Sequence, residues 1–128
     1  MVPGRARRCY RGLVGDELAA RLREICMALP GVTERPSHGV PAWFVNGKRS
    51  FAQLWADGHH QNQFPHLWCA STLETQQLLI DSNPERFFRP PYVGHRGWTG
   101  VRLDDPDWAE IAELCQDAYQ LIAAPRRR

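Results

Sequence analysis

The sequence predicts an α+β fold in two layers, in which an antiparallel sheet of about five strands is covered on one face by three helices. Helix-like and strand-like segments follow one another in the order helix, three strands, helix, two strands, helix. The loops between them are short, which favours antiparallel neighbours with the helices on one side of the sheet. The 128 residues, 43% of them hydrophobic, suit one domain with a single core.

The first helix is indicated by the segment GDELAARLREICMALPG, which starts at Gly15. Apolar residues recur there at spacings of three and four, which places them on one helix face: Leu18, Leu22, Ile25 and Leu29. Asp16 favours the positive end of the helix dipole, and Pro30 predicts the end of the helix.

Three strands are predicted next. Trp43 to Val45 suits a strand, and Asn46-Gly47 is a strong hairpin signal. The second strand is expected from Arg49 to Trp55 and the third from Phe64 to Ala70. Alternation gives the second strand two sides, with Ser50, Ala52 and Leu54 on one and Phe51, Gln53 and Trp55 on the other.

The second half begins with a capping box, Ser71 to Glu74, which predicts a helix to about Asp81. Extended segments are expected at 86–93 and 98–103. Asp105-Pro106 offers a capping carboxylate and a proline at the first helical position, so the last helix is predicted to start there. Trp108 is expected to be its largely buried anchor.

Charge is distributed unevenly along the chain. Seven arginines lie near the two ends, and neither end contains an acidic residue: Arg5, Arg7, Arg8, Arg11, Arg126, Arg127 and Arg128. The rest of the chain contains the other nine basic residues and all 14 acidic residues, so its net charge is −5. We therefore expect a folded body from about residue 14 to 124, acidic overall, between basic tails 1–11 and 126–128.

The residues that could carry chemistry give no recognisable catalytic or metal-binding motif. His59, His60, His66 and Cys69 do not have the spacing of a closed zinc site. Phosphate loops and nucleophile elbows are absent, so we expect no enzyme, no cofactor and no metal. The four cysteines lack C-x-x-C spacing and no export signal precedes them, which predicts reduced thiols in a cytoplasmic protein.

The segment ERFFRPPYVGHRGWTGVRL mixes arginines with aromatic residues. Such a mixture suits either a nucleic-acid surface or core packing beneath a charged sheet edge. We expect Phe87, Phe88 and Trp98 to lie mainly in the core. His95 and Arg96, between two glycines, are expected on an exposed turn that meets a partner.

Three segments carry a resemblance to a known family: LPGVTERPSHGVPAWFVNGK, NPERFFRPPYVGHRGWTGVRLD and DWAEIAELCQDAYQLIA. They resemble the MmcQ/YjbR family of small bacterial proteins over about Asp16 to Ala123. The resemblance implies the same two-layer fold, similar to that of type III secretion chaperones. Members are commonly labelled DNA-binding, and no catalytic residues come with the family. Matching positions that could face a ligand are His38, Lys48, Arg96 and Trp98.

Two functions remain open from the sequence. One is DNA binding, weak and salt-dependent, with six candidate contacts: Lys48, Arg49, Arg86, Arg89, Arg96 and Arg102. The other is a chaperone-like or ligand-binding module that holds a peptide, a protein or a small anion on the sheet face. Its candidate ligand-facing residues are His38, His95 and Trp98, and a groove would be lined by Trp43, Trp55, Trp68 and Trp98. A monomer or weak dimer without membrane contact is expected.

Overall fold

Three helices and six strands make up the chain in the computed structural model, which describes the backbone of residues 3–125 and the side chains of residues 15–125. The helices are α1 (Pro3–Met27), α2 (Leu73–Ser82) and α3 (Trp108–Ala123). The strands are β1 (Val32–Ser37), β2 (Val40–Val45), β3 (Arg49–Trp55), β4 (His66–Cys69), β5 (Phe87–Phe88) and β6 (Thr99–Arg102). A 3₁₀ turn, Gly94–Arg96, precedes β6. The α+β class and the predicted order are confirmed.

The six strands form one antiparallel sheet in the order β1-β2-β3-β4-β6-β5. The sequence predicted about five strands, and the additional one is β1, which pairs with β2 from Val32–Val45 to Ser37–Val40. Pro36 lies inside β1, where it pairs with Pro41 of β2. A strand at the edge of a sheet tolerates proline because one side of its backbone needs no hydrogen-bond partner.

Helix α1 begins earlier than predicted. It runs for 25 residues from Pro3, whereas the apolar pattern indicated a start near Gly15. Residues 3–11, predicted as part of a basic tail, therefore have helical backbone. Residues 1–2 and 126–128, the rest of the predicted tails, lie outside the described part.

Helices α1 and α3 pack on one face of the sheet and form the core with it. Their buried residues are Leu18, Leu22 and Cys26 of α1 and Ile111, Cys115, Ala118 and Ile122 of α3. The Tyr119 hydroxyl of α3 donates to the Pro30 carbonyl at 2.6 Å, which ties α3 to the segment that follows α1. Helix α2 lies beside β5, and its Leu79 and Ile80 join the same core.

A β-bulge corrects the predicted sides of β3. The β2–β3 register shifts between Trp43 and Phe44, which pair with Ala52 and Ser50 and leave Phe51 as the extra residue. Phe51 is buried on the helix side, where its ring meets Tyr119 edge-on with centroids 5.7 Å apart. The prediction that Phe51 shares a side with Gln53 and Trp55 is therefore wrong.

The two predicted helix starts are each shifted. Thr72, not Ser71, caps α2, since its hydroxyl accepts from the Thr75 N–H at 3.1 Å. Asp107, not Asp105, caps α3, and its carboxylate accepts from the Glu110 N–H at 3.3 Å. Trp108 is thus the first residue of α3.

Trp108 is only partly buried, because the first turn of α3 lies at the margin of the core. The Arg21 guanidinium lies 5.0 Å from its ring centroid. The prediction of a largely buried anchor is wrong, and the fully buried residue of the first turns is Ile111.

The second face of the sheet carries no helix among the described residues; we call it the open face. Opposed residues of antiparallel strands share a face, and the register therefore places the following side chains there: Arg35, Ala42, Gln53, Trp55, His66, Trp68, Phe88 and Arg102. Loop residues 56–65 and 89–93 lie over part of it, as the ring contacts below show.

Candidate functional site

A cluster of aromatic rings occupies the middle of the open face. Trp68 of β4 is paired with Gln53 of β3, and His66 with Trp55, so these four side chains lie side by side. The Trp55 and Trp68 rings have centroids 4.9 Å apart and are tilted by 47°. His66 extends the cluster, with its ring 6.2 Å from that of Trp68.

The loop after β3 places a histidine on this cluster. Gly58 turns the chain with a φ of 84°, and two backbone hydrogen bonds of 2.8 Å between His59 and Asn62 close the loop. The His59 ring consequently stands edge-on to Trp55, with centroids 4.9 Å apart and planes at 84°. Burial, together with the charge of neighbouring His60, lowers the pKa of His59.

A pocket of about 380 Å³ opens beside these rings. That volume lies near the lower end of the range typical of small-molecule sites. The lining side chains come from two strands and three loops: His38, Gln53, Trp55, His59, Trp68, Tyr92 and Val93. They include no carboxylate, guanidinium, ammonium, thiol or serine, so the pocket is suited to binding an uncharged compound.

Gln53 is held in one orientation on the pocket wall. Its amide Nε2 donates to the Ser37 carbonyl at 2.8 Å, and the carbonyl fixes which end of the amide is nitrogen. The side chain crosses β2 at Ala42, its register partner, whose small side chain leaves room for the crossing. The Oε1 atom accepts no hydrogen bond from the described residues. It is not among the fully buried atoms that lack a partner, so part of its surface is accessible. It is therefore free to accept a bond from a ligand.

Three buried ring nitrogens in the cluster lack a hydrogen-bond partner: Trp55 Nε1, Trp68 Nε1 and His66 Nε2. His66 Nδ1 lies 2.8 Å from the Phe64 carbonyl and must donate to it, so Nε2 is the unprotonated nitrogen. Burial lowers the pKa of His66, partly opposed by the bond to Phe64. Buried polar groups without partners cost stability, and they are rare in native cores.

The rim of the pocket contains strained backbone. Three non-glycine residues have positive φ in the described part, and two of them line the pocket: Tyr92 at 66° and His38 at 56°. The third, Asn46 at 53°, lies in the β2–β3 turn, where asparagine is well tolerated. Tyr92 is 67% exposed, so core packing does not explain why a bulky aromatic residue stands in that conformation.

The candidate DNA contacts do not gather into one patch. Lys48 and Arg49 lie at the start of β3, and Arg49 reaches toward the helix side, 3.4 Å from the Ile122 carbonyl. Arg102 lies across from His66 and Trp55, at the other end of β3 and roughly 20 Å away at about 3.3 Å per residue.

Two of the candidate arginines are partnered by acidic side chains. Arg86 is 3.7 Å from Glu110, and Arg102 is 2.7 Å from Asp104. Arg86, Arg102 and Asp104 line a larger cavity of about 580 Å³ at the β5 edge, and the two ion pairs already compensate the charges of both arginines. Arg89 and Arg96 are exposed.

The structure separates the predicted ligand-facing residues. His95 and Arg96 lie on an exposed 3₁₀ turn, as predicted, but not in the pocket. Trp98 is buried in the core at 6% exposure, as is Phe87, whereas Phe88 is half-buried on the open face. Of the three predicted ligand-facing residues, His38, His95 and Trp98, only His38 lines the pocket.

The predicted groove of four tryptophans is also divided, because Trp43 and Trp98 belong to the core while Trp55 and Trp68 line the pocket. Alternation along β3 had placed Gln53 and Trp55 on one side, and that signal could have identified two pocket residues. No comparable signal marked His59 or Tyr92, which reach the pocket from loops.

The buried thiols are unsuited to nucleophilic chemistry. Burial raises the pKa of Cys69 far above its ordinary range, and its Sγ faces the Thr99 carbonyl. Hydrogen bonding to Cys26 and burial likewise raise the pKa of Cys115. Cys69 and the His66 ring lie on opposite faces of the sheet. No group of three or more possible metal ligands is found within the described ranges.

The fold and the site define a class: a small α+β protein with an open antiparallel sheet, helices on one side and a ligand-sized aromatic pocket on the other. The chain belongs to the YjbR family, whose model matches residues 27–121. This confirms the family predicted from the sequence.

A similar solved structure is that of the Deinococcus radiodurans protein DR2400, described with a DUF419 domain. The two sequences are 19% identical, and the structures superpose with a TM-score of 0.66. The superposition covers 79% of this chain and 75% of the Deinococcus chain. At that identity the likeness shows the fold alone. Among curated proteins, none matches the sequence. In the part of the chain that the structure describes, no helix has the length and apolar character needed to span a bilayer.

Proposed function

We propose that the protein is a binding protein, not an enzyme, and that it holds a small organic ligand in the aromatic pocket of the open face. One observation carries this proposal: Tyr92, exposed and in a left-handed conformation, stands at the rim of the pocket. Such strain costs roughly 1–2 kcal/mol for a bulky residue and persists where a function requires it. The pocket volume favours a small ligand over an extended peptide.

The chemistry of the lining supports binding over catalysis. General acid–base or nucleophilic catalysis needs a nucleophile or carboxylate within reach of a base. The pocket offers imidazole, indole, phenol and amide groups without any carboxylate, thiol or serine. These groups provide flat apolar contact and a few hydrogen bonds, which is what recognition of a small ligand requires.

The proposal is tested by replacing Tyr92 with glycine and screening neutral fragments by ¹H–¹⁵N NMR of the Trp55 and Trp68 indole groups. In the unaltered protein we expect fragments that shift both indole signals. Tyr92→Gly should weaken their binding without loss of stability, since glycine relieves the backbone strain.

The matched control is Asn46→Gly, which changes another positive-φ residue away from the pocket and should leave fragment binding unaltered. The proposal is refuted if no fragment shifts the two indole signals, or if both glycine variants bind fragments equally well.

DNA binding is the second candidate, favoured by the charge asymmetry of the chain. Seven arginines lie at its ends, and the rest carries a net charge of −5. The six candidate DNA contacts of the folded body are dispersed over its surface. Because of this dispersal and the charge asymmetry, we expect the ends of the chain to contact the phosphates.

If all seven terminal arginines contacted phosphates, log K would fall with log salt at a slope of roughly −6. Gel shifts at several salt concentrations should show weak, sequence-independent binding. Replacing Arg5, Arg7, Arg8 and Arg11 with alanine should reduce that slope by about half, as each lost contact removes about 0.9 from it. Specific binding at physiological salt by the substituted protein would contradict this assignment.

A further inference from the structure

We infer that the ligand of the open-face pocket is an uncharged, planar heteroaromatic compound that donates a hydrogen bond from its ring edge to Gln53 Oε1. The inference rests on the proposed function, because it names the chemical class that the same pocket takes. It follows from three properties of the lining: charge, shape and the position of the free acceptor Gln53 Oε1.

The lining offers no charged side chain that would pair with an ionic ligand. None of the seven lining residues has a carboxylate that could pair with a cation, and none has a guanidinium or ammonium group that could pair with an anion. The lowered pKa of His59 favours the uncharged form of its ring. A buried charge without a partner is strongly disfavoured, so a neutral ligand fits this lining.

The shape of the lining favours a flat ring. Trp55, Trp68 and Tyr92 present rings to the pocket, and His59 makes edge contact with two of them, at centroid distances of 4.9 Å to Trp55 and 6.0 Å to Tyr92. Aromatic rings pack well against other rings in tilted and edge-on arrangements at such spacings. A saturated ring or a branched chain would use the same volume without these contacts.

The position of the free acceptor, Gln53 Oε1, indicates which group the ring edge of the ligand carries. Gln53 is 9% exposed, and its nitrogen is committed to Ser37, so a buried amide presents only its oxygen. A ligand that covers this oxygen removes it from water, so the acceptor gains from a donor on the ligand and loses when it remains unpaired. An N–H group on the ring edge of the ligand satisfies this requirement, whereas a ring with acceptors alone does not.

The test compares two probes that differ at one atom position. Quinazolin-4(3H)-one is planar and neutral and carries an edge N–H; its 3-methyl derivative lacks that donor. Binding is measured by the indole NMR shifts of Trp55 and Trp68. We expect the unmethylated probe to bind about three- to tenfold more tightly, the range for one hydrogen bond.

A variant then assigns the preference to one residue. Gln53→Met keeps the length of the side chain and removes the acceptor, so it should bind the two probes equally. Gln120→Met, on the exposed face of α3, is the matched control and should keep the preference. The result for each variant is the ratio of its affinities for the two probes. A moderate loss of stability in Gln53→Met lowers both affinities alike and therefore does not mask the result.

The remaining outcomes separate the inference from the proposed function. Equal binding of both probes to the unaltered protein would refute the edge assignment and leave the pocket as a binding site. Preferential binding of phenyltrimethylammonium or of cyclohexanecarboxamide would refute the uncharged or the planar class respectively. If no probe or fragment of any class shifts the two indole signals, the proposed function itself fails.

Discussion

Gly100 in β6 is a position where the structure allows the cost of one added methyl group to be worked out. It lies on the open face between Trp68 and Phe88, its register partners on either side. A Cβ atom at Gly100 would stand no more than 2.6 Å from three carbon atoms of the Phe88 ring. The ring covers the glycine directly, so Gly100→Ala forces Phe88 to move.

The magnitude follows from the contacts that Phe88 would lose. Carbon atoms pack at about 3.5–4.0 Å, so the ring must withdraw by about 1 Å. It meets Phe64 and His66 edge-on, at centroid distances of 5.5 Å and 5.3 Å. Each aromatic pair contributes about 0.5–1.5 kcal/mol, and overpacking of a filled site costs about 1–3 kcal/mol. We expect Gly100→Ala to lower the free energy of unfolding by about 2 kcal/mol.

Urea denaturation followed by circular dichroism measures this loss, and a double-mutant cycle with Phe88→Ala tests its cause. Without the ring, the added methyl group has space, so the double variant should be more stable than the sum of the single effects predicts, by about 1–2 kcal/mol. Gly15→Ala is the control, because Ala56, at 3.8 Å, is the nearest described neighbour of its Cβ, and the helix should gain about 0.5–1 kcal/mol. Additive effects within about 0.5 kcal/mol would refute the overlap with Phe88 as the cause.

Three further predictions concern the folded state. Ile111→Ala, at a fully buried position, should cost about 2–5 kcal/mol in urea denaturation, while Leu121→Ala, 41% exposed, should cost less than about 0.5 kcal/mol; equal costs would contradict the assigned core. Because burial lowers the pKa of His66 below 6.5, the unfolded chain binds its proton first, and stability should fall as pH drops below about 6.5, by up to about 1.4 kcal/mol per pH unit. His66→Phe should flatten this dependence between pH 7.5 and 5.5, and an unchanged slope would assign it to another group. Thr72→Ala removes the α2 cap and should cost about 1 kcal/mol by the same assay; no loss would contradict the cap.

The order of elements was predictable because it depends on local signals. Apolar spacing identifies the second half of α1, the Asn46-Gly47 turn identifies the β2–β3 hairpin, and alternation identifies most of β3. The bulge at Phe51 was not predictable from alternation, since nothing in the sequence RSFAQLW of β3 marks which residue is the extra one. The start of α1 at Pro3 escaped for a similar reason, because its first turns lack a clear apolar stripe.

The site was less predictable because its parts come from distant segments. Register alone brings Gln53 and Trp68 together, and it can be worked out only once the strand order is known. His59 and Tyr92 arrive from two loops whose paths depend on tertiary packing. A tyrosine gives no sequence signal for a left-handed conformation, since glycine and asparagine are the residues that usually adopt it.

The features that break the ordinary rules of stability lie on the open face. Tyr92 and His38 hold strained backbone, and Trp55 and Trp68 bury N–H groups without partners. The described core on the helix side shows none of these defects, since its largest buried side chains are apolar and its polar atoms are not among those left without a partner. Proteins keep such departures mainly where binding or chemistry requires them. Substitutions that repair the open face should therefore raise stability and weaken ligand binding together, whereas repairs elsewhere should affect stability alone.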